Sequence, residues 1–334
     1  MSGELPAALR AGLEGLAGRH PGRALGEASA RLTANYRAGR GTRLDRPVDV
    51  AAYAIARMPA TYAAFRAVLA EAALRSAVAP RTLLDMGCGP GTASWAALDV
   101  FPDIGSATLV DIHAGMIGIG RELAAAGAPA LARASWIEAP MARHLGSPAS
   151  ADLVLSGYAL NEIPPGEVAA VARALYAATA GLVVIVEPGT PQGFAVVAAA
   201  RTVLAAAGAR ILAPCPHDAA CPLEAPDWCH FSARLPRLRA HKAAKGADVP
   251  FEDERYSYVV AARPGPALQP AAARILRPPR ATKAATTFRL CTAAGLVEET
   301  VPERERDRAR SVRKLGWGDA FPAGPHGTSA PRPD

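Results

Sequence analysis

The chain has 334 residues, half of them apolar, and a net charge of +7 from 37 basic and 30 acidic side chains. This size allows one large domain with additions. Five cysteines are too few for a disulfide framework, and no apolar stretch reaches the ~20 residues that span a bilayer. The first thirty residues lack the long apolar run of a signal peptide. We therefore expect a soluble bacterial cytoplasmic protein, monomeric and without a membrane partner.

The positive charge is concentrated in two segments. Residues 231–245 and 274–289 each contain five basic side chains and no acid, so the remainder of the chain has a net charge of −3. Such segregation is typical of a nucleic-acid-binding face, although an ordinary solvated surface would look similar. A third segment, 304–314, has six bases and two acids and predicts an exposed helix that extends this face. Without an aromatic platform for single strands, the pattern favours contacts with the phosphates of structured RNA.

Helical and strand-like patterns alternate through the first part of the chain. Residues 1–79 have apolar side chains at helical spacing and predict an N-terminal helical region. Short apolar runs then predict five strands, at 82–86, 107–112, 135–138, 152–156 and 182–187. Alanine-rich segments of helical length separate most of these runs. The alternation predicts an α/β fold with a mostly parallel sheet, and we assign residues 80–190 to this core.

The second half of the chain departs from this alternation. We predict a helix over 194–212, a strand over 256–261, and a hairpin of strands 287–291 and 296–301. We divide this half into two regions. Residues 191–250 form a cysteine-rich, metal-binding insertion, and residues 251–319 contain the last core strand and the basic hairpin. Residues 320–334 are rich in proline and glycine and predict a disordered tail.

A glycine-rich loop follows the first predicted strand. Asp85 lies at the strand end, and Gly87, Gly89 and Gly91 alternate after it, before a predicted helix. Such glycines let the backbone turn sharply and approach a ligand, and the helix N-terminus offers free N–H groups. Cys88 lies inside this loop and is interpreted as a small packing residue.

The spacing of this loop separates it from dinucleotide-binding loops. It has the pattern G-x-G-x-G where those loops have G-x-G-x-x-G, and Asp111 ends the second predicted strand. An acid there can accept hydrogen bonds from both hydroxyls of a ribose. The loop resembles motif I of class I S-adenosylmethionine-dependent methyltransferases. The resemblance implies that Asp85 lies near the methionine moiety and that the three glycines cradle S-adenosylmethionine.

The fourth predicted strand leads into a polar turn. Ser156 lies at the strand end and is a candidate cofactor-binding residue, and Asn161 and Glu162 follow. In methyltransferases this turn lines the substrate side of the cofactor pocket, so Asn161 and Glu162 are the candidate catalytic residues. The alternative is a helix cap with a solvated turn. Glu187 ends the fifth strand, where it could face the same pocket or cap the strand.

Three cysteines lie close together after this core. Cys215, Cys221 and Cys229 have the spacing C-x5-C-x7-C, and Cys291 lies far downstream. The paired C-x2-C sequences of a zinc ribbon are absent. Four irregularly spaced thiolates suit an iron–sulfur cluster. His217 and His230 are additional potential ligands, so a zinc site with mixed ligands remains an alternative.

The neighbours of these cysteines carry a more specific resemblance. Four stretches of the chain resemble the Rsm-type family of mitochondrial small-ribosomal-subunit methyltransferase-like proteins. They are Cys-Pro-His-Asp at 215–218, Asp-Trp-Cys-His-Phe at 227–231, the whole of 245–258, and Trp-Gly-Asp at 317–319. Its animal members are called methyltransferase-like protein 17, and it has bacterial relatives. The similarity runs from about residue 83 to residue 319. It implies a class I methyltransferase fold, a [4Fe–4S] cluster on Cys215, Cys221, Cys229 and Cys291, and association with the small ribosomal subunit.

These observations favour one function and leave two others open. We expect a protein that binds S-adenosylmethionine, carries the four-cysteine cluster and acts on ribosomal RNA of the small subunit. One alternative is an assembly factor that transfers no methyl group. The other is a small-molecule methyltransferase with a structural zinc site.

Overall fold

The computed structural model describes residues 4–37, 44, 46–145, 150–238, 249–265 and 268–322. Its first three helices are α1 (Ala7–Gly18), α2 (Gly22–Arg37) and α3 (Pro47–Arg75). Helix α3 is 29 residues long and buries most of its middle, including Tyr62 and Phe65. No helix in the described part of the chain is both long and apolar enough to cross a membrane.

Eight strands form the main sheet. They are β1 (Thr82–Met86), β2 (Ser106–Asp111), β3 (Ser135–Glu138), β4 (Ala151–Gly157), β5 (Thr179–Pro188), β6 (Arg210–Ala213), β7 (Phe231–Pro236) and β8 (Phe251–Ala262). The order is β3-β2-β1-β4-β5-β8-β6, with β7 also paired to β8. Strands β1 to β5 pair in parallel, and β8 runs antiparallel to β5, β6 and β7. The chain changes direction across the sheet between β1 and β4, where open α/β sheets bind ligands.

Helices cover both faces of this sheet. They are α4 (Thr92–Val100), α5 (Ala114–Ala125), α6 (Pro129–Ala132), α7 (Met141–Leu145), α8 (Val168–Ala177) and α9 (Pro191–Ala206). Successive strand residues point to opposite faces, so Leu83 packs in the core shared with α1 and α3 and Leu84 in the core shared with α8 and α9. This explains why the strands read as continuous apolar runs, and it confirms the mixed α/β architecture.

A second sheet follows in the chain. It contains β9 (Ala273–Ile275), β10 (Arg280–Ala281), β11 (Ala285–Thr292), β12 (Gly295–Pro302) and β13 (Ala320–Phe321), and helix α10 (Arg306–Val312) precedes β13. Strands β11 and β12 form the predicted hairpin, with Gly295 at φ 110° in its turn. Ile275, Phe288 and Phe321 pack together as its core.

Three predictions of local structure need correction. The helix predicted over 194–212 ends at Ala206, because Gly208 adopts a left-handed φ of 85° and the chain continues as β6. Strand β7 lies in the insertion, where no strand was predicted. The predicted disordered tail lies outside the described residues except for its first three, and the first two of these form β13, paired with β9.

Candidate functional site

The glycine-rich loop lies at the carboxyl end of β1. Gly87, Gly89 and Gly91 all have positive φ, at 71°, 53° and 79°. A Cβ on Gly87 would lie 2.5 Å from the Cβ of Ala159, and one on Gly91 would lie 2.7 Å from the Trp136 ring, whereas one on Gly89 would meet nothing within 4 Å. Two glycines therefore permit close packing of the loop, and the third leaves an open space beside the backbone.

Asp85 lies beneath this loop and is almost fully buried. Its Oδ2 accepts a hydrogen bond of 2.6 Å from the hydroxyl of Ser94 on α4. Burial raises the pKa of Asp85 to about 7, and the hydrogen bond from Ser94 opposes this shift. Asp85 lines a small recess of the loop. A carboxyl group in this position ties β1 to the start of α4 and so fixes the loop between them.

Asp111 closes the loop from the neighbouring strand. Its two oxygens accept hydrogen bonds from the backbone N–H of Gly89, at 2.7 Å, and of His113, at 2.8 Å. A carboxylate has about four lone-pair sites, so Asp111 can accept further bonds from a ligand. The next residue, Ile112, is 58% exposed although it is large and apolar.

A cavity of about 340 Å³ opens in front of these groups. We call it the glycine-loop cavity; among its lining residues are Gly87, Gly89, Asp111, Ile112 and Met116. The structure therefore brings together two of the three glycines and the strand-end acid predicted from the sequence. Gly91 instead packs against the Trp136 ring, behind the loop. Ser156 is fully buried and lines none of the cavities described here; its neighbour Gly157 lines the glycine-loop cavity.

The turn after β4 has an unusual backbone. Tyr158 adopts φ 56°, a left-handed conformation that is uncommon for a bulky residue, and its hydroxyl donates to Glu254 at 3.0 Å. The fully buried carboxyl of Glu187 accepts the backbone N–H of Leu160 at 2.9 Å. Burial raises the pKa of Glu187 to about 8. Glu187 therefore holds the turn through its backbone, and it lines neither the glycine-loop cavity nor the recess beside Asp85.

Asn161 and Glu162 lie on this turn beside a second cavity. The amide oxygen of Asn161 is buried and has no hydrogen-bond partner among the described residues. The second cavity has a volume of about 460 Å³, and we call it the adjoining cavity. It shares Tyr53, Tyr158 and Glu162 with the glycine-loop cavity. Trp228 lies in its wall, and the Trp228 indole N–H donates to the carbonyl of Gly189 at 3.0 Å.

The four predicted ligand cysteines line one small cavity, the cysteine cavity. Cys215, Cys221 and Cys229 come from the segment between β6 and β7, and Cys291 comes from β11 of the second sheet. Cys88 lies in the loop recess instead, where it is buried. Within the described ranges, no three His, Cys, Asp or Glu side chains lie close enough to hold a single metal ion.

Three of the four thiols in this cavity have a raised pKa, which favours their protonated form when no metal is bound. Burial raises the pKa of Cys215 and of Cys229, and it raises that of Cys291 to about 12. A bound metal would reverse this, because a coordinated thiol loses its proton. Two buried arginines, Arg201 and Arg274, line the cavity and oppose the shift at Cys215.

The two histidines near the cysteines differ in position. His217 has its Nε2 3.7 Å from the sulfur of Cys291, so it lies within reach of the cavity. His230 instead stacks on Trp228 at 4.9 Å and meets the edge of Trp317 at 4.8 Å. His230 is therefore an aromatic packing residue, and of the two only His217 is placed as an alternative ligand.

Most arginines of the two segments 231–245 and 274–289 form ion pairs. Arg234 pairs with Asp253 across β7 and β8, and Arg280 with Glu298 across the second sheet. The other ion pairs of the two segments are Arg237–Glu252, Arg274–Glu71, Arg277–Asp227 and Arg289–Asp227. Arg239, Lys242 and Lys245 lie outside the described residues. The exposed cations that remain are Lys283 and, around α10, Arg304, Arg306, Arg310 and Lys314.

The match to a family model covers most of the chain. Residues 47–322 match the family described as "Mitochondrial small ribosomal subunit Rsm22". The chain belongs to the Rsm22 family. This confirms the resemblance found in the sequence, and the Rsm22 match includes the glycine-rich loop and all five cysteines.

Curated relatives agree with this assignment. The human ribosome assembly protein METTL17, mitochondrial, is 26% identical over 288 residues, which span 81% of this chain and 62% of the human protein. Rsm22-cox11 tandem protein 2, mitochondrial, from Schizosaccharomyces pombe is 28% identical over 331 residues, spanning 82% of this chain and 43% of the yeast protein. The chain thus corresponds to only part of each relative.

Two solved methyltransferase structures align with part of this chain. Magnesium protoporphyrin IX methyltransferase from Synechocystis, with bound S-adenosylmethionine, has a TM-score of 0.38 and 14% identity, covering 70% of this chain and 91% of that one. An O-methyltransferase family protein from Burkholderia thailandensis has a TM-score of 0.43 and 15% identity, covering 66% of this chain and 60% of that one.

The predicted bacterial cytoplasmic location is corrected by these matches. The family model and the human and yeast relatives are all described as mitochondrial. The prediction rested on cysteine content and the lack of long apolar runs, and these properties do not distinguish the two compartments.

Four functional features were missed in the sequence. They are the buried Arg201 and Arg274, the strained Tyr158 and the wall position of Trp228. Arg201 did leave a signal, since it is the lone charge in the apolar run 194–206, whereas Arg274 looked like one more cation of the basic segment 274–289. The positions of Tyr158 and Trp228 depend on contacts with distant segments, which no local pattern records.

Proposed function

We propose that this chain binds S-adenosylmethionine, carries a [4Fe–4S] cluster and works in the assembly of the small ribosomal subunit. The observation that carries the proposal is the joint presence, in one Rsm22-family chain, of the glycine-loop cavity and a separate cavity lined by four cysteines. Trp228, next to Cys229, lines the adjoining cavity, so the cysteine segment also forms part of the site beside the proposed cofactor pocket.

The glycine-loop cavity fits the parts of S-adenosylmethionine. Asp111 would accept hydrogen bonds from the ribose hydroxyls, and the exposed Ile112 would pack against the adenine. The open space beside Gly89 leaves room for the ligand against the backbone. Asp85 would hold the loop near the methionine end, as its hydrogen bond to Ser94 already does in the free chain.

The adjoining cavity is the proposed place of the methyl acceptor. Bound S-adenosylmethionine supplies a sulfonium methyl group, which an acceptor can take by direct displacement. The chain would contribute chiefly alignment. The unpartnered amide oxygen of Asn161 can accept a hydrogen bond from the acceptor, and Glu187 holds the turn on which Asn161 lies. Glu162 lines both cavities, which suits a residue that contacts the acceptor beside the cofactor.

The cysteine cavity fits a cluster held by Cys215, Cys221, Cys229 and Cys291. All four cysteines line it, and the cationic Arg201 and Arg274 in the same lining would oppose the negative charge that metal-bound thiolates bring. Cys291 would join the second sheet to the segment after β6, so the cluster would fix the position of that sheet. Zinc held by the same thiols, with His217 nearby, is the alternative group.

The names of the relatives favour a role with the small ribosomal subunit. We propose that RNA contacts come from the exposed cations around α10, because most arginines of the two predicted basic segments already pair with acids. Each phosphate contact would add to a salt-dependent affinity.

Two experiments test this proposal. Copurification with small-subunit RNA at moderate salt separates it from a small-molecule methyltransferase, which would not retain the RNA. Labelled S-adenosylmethionine is then incubated with immature small subunits and either wild-type chain or Asp85→Ala. We expect label in the subunit with the wild type and none with the variant. A subunit that copurifies but takes no label would refute methyl transfer and leave the non-catalytic assembly factor.

A further inference from the structure

Arg201 is a buried cation on α9 whose partners are not carboxylates. The residue is 4% exposed. Its Nε–H donates to the sulfur of Cys215 at 3.2 Å, and its Nη2 donates to the carbonyl oxygens of His217 at 2.8 Å and Ala219 at 2.6 Å. In the described part of the chain, no acid forms an ion pair with Arg201. A buried charge without a counter-charge is strongly unfavourable, so its retention calls for an anion.

Arg274 provides a comparison in the same cavity. It is 1% exposed and donates from Nε to the carbonyl of Pro214, the residue before Cys215, at 3.0 Å. Unlike Arg201, it has a carboxylate partner, Glu71 on α3. Glu71 also pairs with Arg75, yet it gives Arg274 a direct carboxylate contact that Arg201 lacks among the described residues.

The cysteine cavity is the place where the missing negative charge would arise. Four metal-bound thiolates carry a net negative charge whether they hold a zinc ion or a [4Fe–4S] cluster, because the metal group does not neutralise all four. The hydrogen bond from Arg201 to Cys215 already points a charged donor at one of these sulfurs. Charge-assisted hydrogen bonds of this kind are about twice as strong as neutral ones.

We propose that Arg201 is the counter-charge and hydrogen-bond donor of the cysteine cavity, and that it stabilises an anionic, thiolate-bound metal group through Cys215. This rests on the proposal that the four cysteines bind such a group. Arg201 is then a positioning residue: it binds no metal itself, and its positive charge is favourable only when the metal group is present.

The proposal predicts that replacing Arg201 affects the metal-free chain and the metal-loaded chain differently. Replacement by methionine, which has a similar shape and no charge, removes a buried unpaired cation from the metal-free chain. The melting temperature of that form should change little, because removal of the unpaired cation offsets the lost hydrogen bonds to the carbonyls of His217 and Ala219. In the metal-loaded chain the same replacement removes the charge-assisted hydrogen bond to Cys215, so the bound metal group should dissociate faster. An arginine that only braced the two carbonyls would instead lower the melting temperature of both forms.

The test uses the full chain as wild type, Arg201→Met, Arg201→Lys and the control Arg210→Met. Arg210 forms an ion pair with Asp218 and is half exposed, so its loss tests charge removal outside the cavity. Each chain is reconstituted anaerobically with iron and sulfide, and the rate of iron transfer to a chelator is measured. Melting temperatures of the metal-free chains are recorded in parallel.

We expect Arg201→Met to lose iron at least about tenfold faster than the wild type, the lower limit set by a hydrogen bond to a charged group. Arg201→Lys should recover most of the retention, and Arg210→Met should match the wild type. Equal iron loss in Arg201→Met, or a lowered melting temperature of its metal-free form, would overturn the proposal. A wild type that binds zinc but no iron–sulfur cluster would refute the cluster, and the same comparison with zinc would then decide the role of Arg201. A wild type that binds neither would overturn both.

Discussion

Gly87 and Gly89 lie two residues apart in the same loop, yet their surroundings predict different effects of the same substitution. Both have positive φ, so alanine is strained at either position. At Gly87 the new methyl group would lie 2.5 Å from the Cβ of Ala159, on the turn that holds Asn161. At Gly89 it would meet nothing within 4 Å and would lie in the space proposed for S-adenosylmethionine.

The left-handed backbone costs alanine about 1–2 kcal/mol at either position. Overpacking against Ala159 adds about 1–3 kcal/mol, so Gly87→Ala should lower the free energy of unfolding by about 2–5 kcal/mol. Gly89→Ala should lower it by about 1–2 kcal/mol and weaken ligand binding instead. Gly208→Ala is the matched control, since Gly208 has φ 85° and an open surrounding but lies at the end of α9.

Urea unfolding gives the stabilities, and calorimetric titration with S-adenosylhomocysteine gives the affinities. We expect Gly89→Ala and Gly208→Ala to be similar in stability, with only Gly89→Ala losing affinity by about tenfold or more, the effect of ~1.4 kcal/mol of lost contact. If Gly89→Ala binds the ligand as well as Gly208→Ala does, the proposed cofactor position is wrong. If Gly87→Ala is no less stable than Gly89→Ala, the packing argument fails.

Three further predictions concern the turn after β4, the wall of the adjoining cavity and the cysteine cavity. The raised pKa of Glu187, about 8, should lower wild-type stability by up to about 4 kcal/mol from pH 5 to pH 8, and the raised pKa of Asp85 adds a smaller loss in the same range. Glu187→Gln should therefore reduce the slope of stability against pH in urea unfolding, and an unchanged slope would contradict the shift. Trp228→Phe removes the hydrogen bond to the carbonyl of Gly189, so it should lower the free energy of unfolding by about 1 kcal/mol in the same assay and leave the metal content unchanged. A variant as stable as the wild type would show that this hydrogen bond does not stabilise the fold. Cys291→Ser should lose bound metal, measured by elemental analysis, whereas Cys88→Ser should keep it; equal loss would refute the assignment of ligands.

The central strands could be predicted because burial alone determines them. Strands such as β4 and β5 are covered on both faces, so they appear in the sequence as apolar runs bounded by turns. The glycine loop was equally clear, because three positive φ values require glycine at fixed positions. In each case the physical requirement falls on neighbouring residues, where a local pattern can record it.

Features that depend on distant partners could not be predicted in this way. The basic character of residues 231–245 is clear in the sequence, but the pairing of Arg234 with Asp253 follows from the register of β7 and β8. Likewise, Ala-rich sequence on both sides of Gly208 hides the end of α9, and only the pairing of β6 with β8 makes the strand favourable. The convergence of the cysteines was inferred from the family resemblance, since their spacing left both zinc and a cluster open.

Sedimentation with small ribosomal subunits tests the central claim most directly. Wild-type chain and Cys291→Ser are each expressed with a tag, and lysates are separated on gradients at moderate salt. The account predicts that the wild type sediments with immature small subunits and that Cys291→Ser, in which the second sheet loses its link to the cysteine segment, does so more weakly. A wild-type chain that stays at the top of the gradient while immature subunits are present would contradict it.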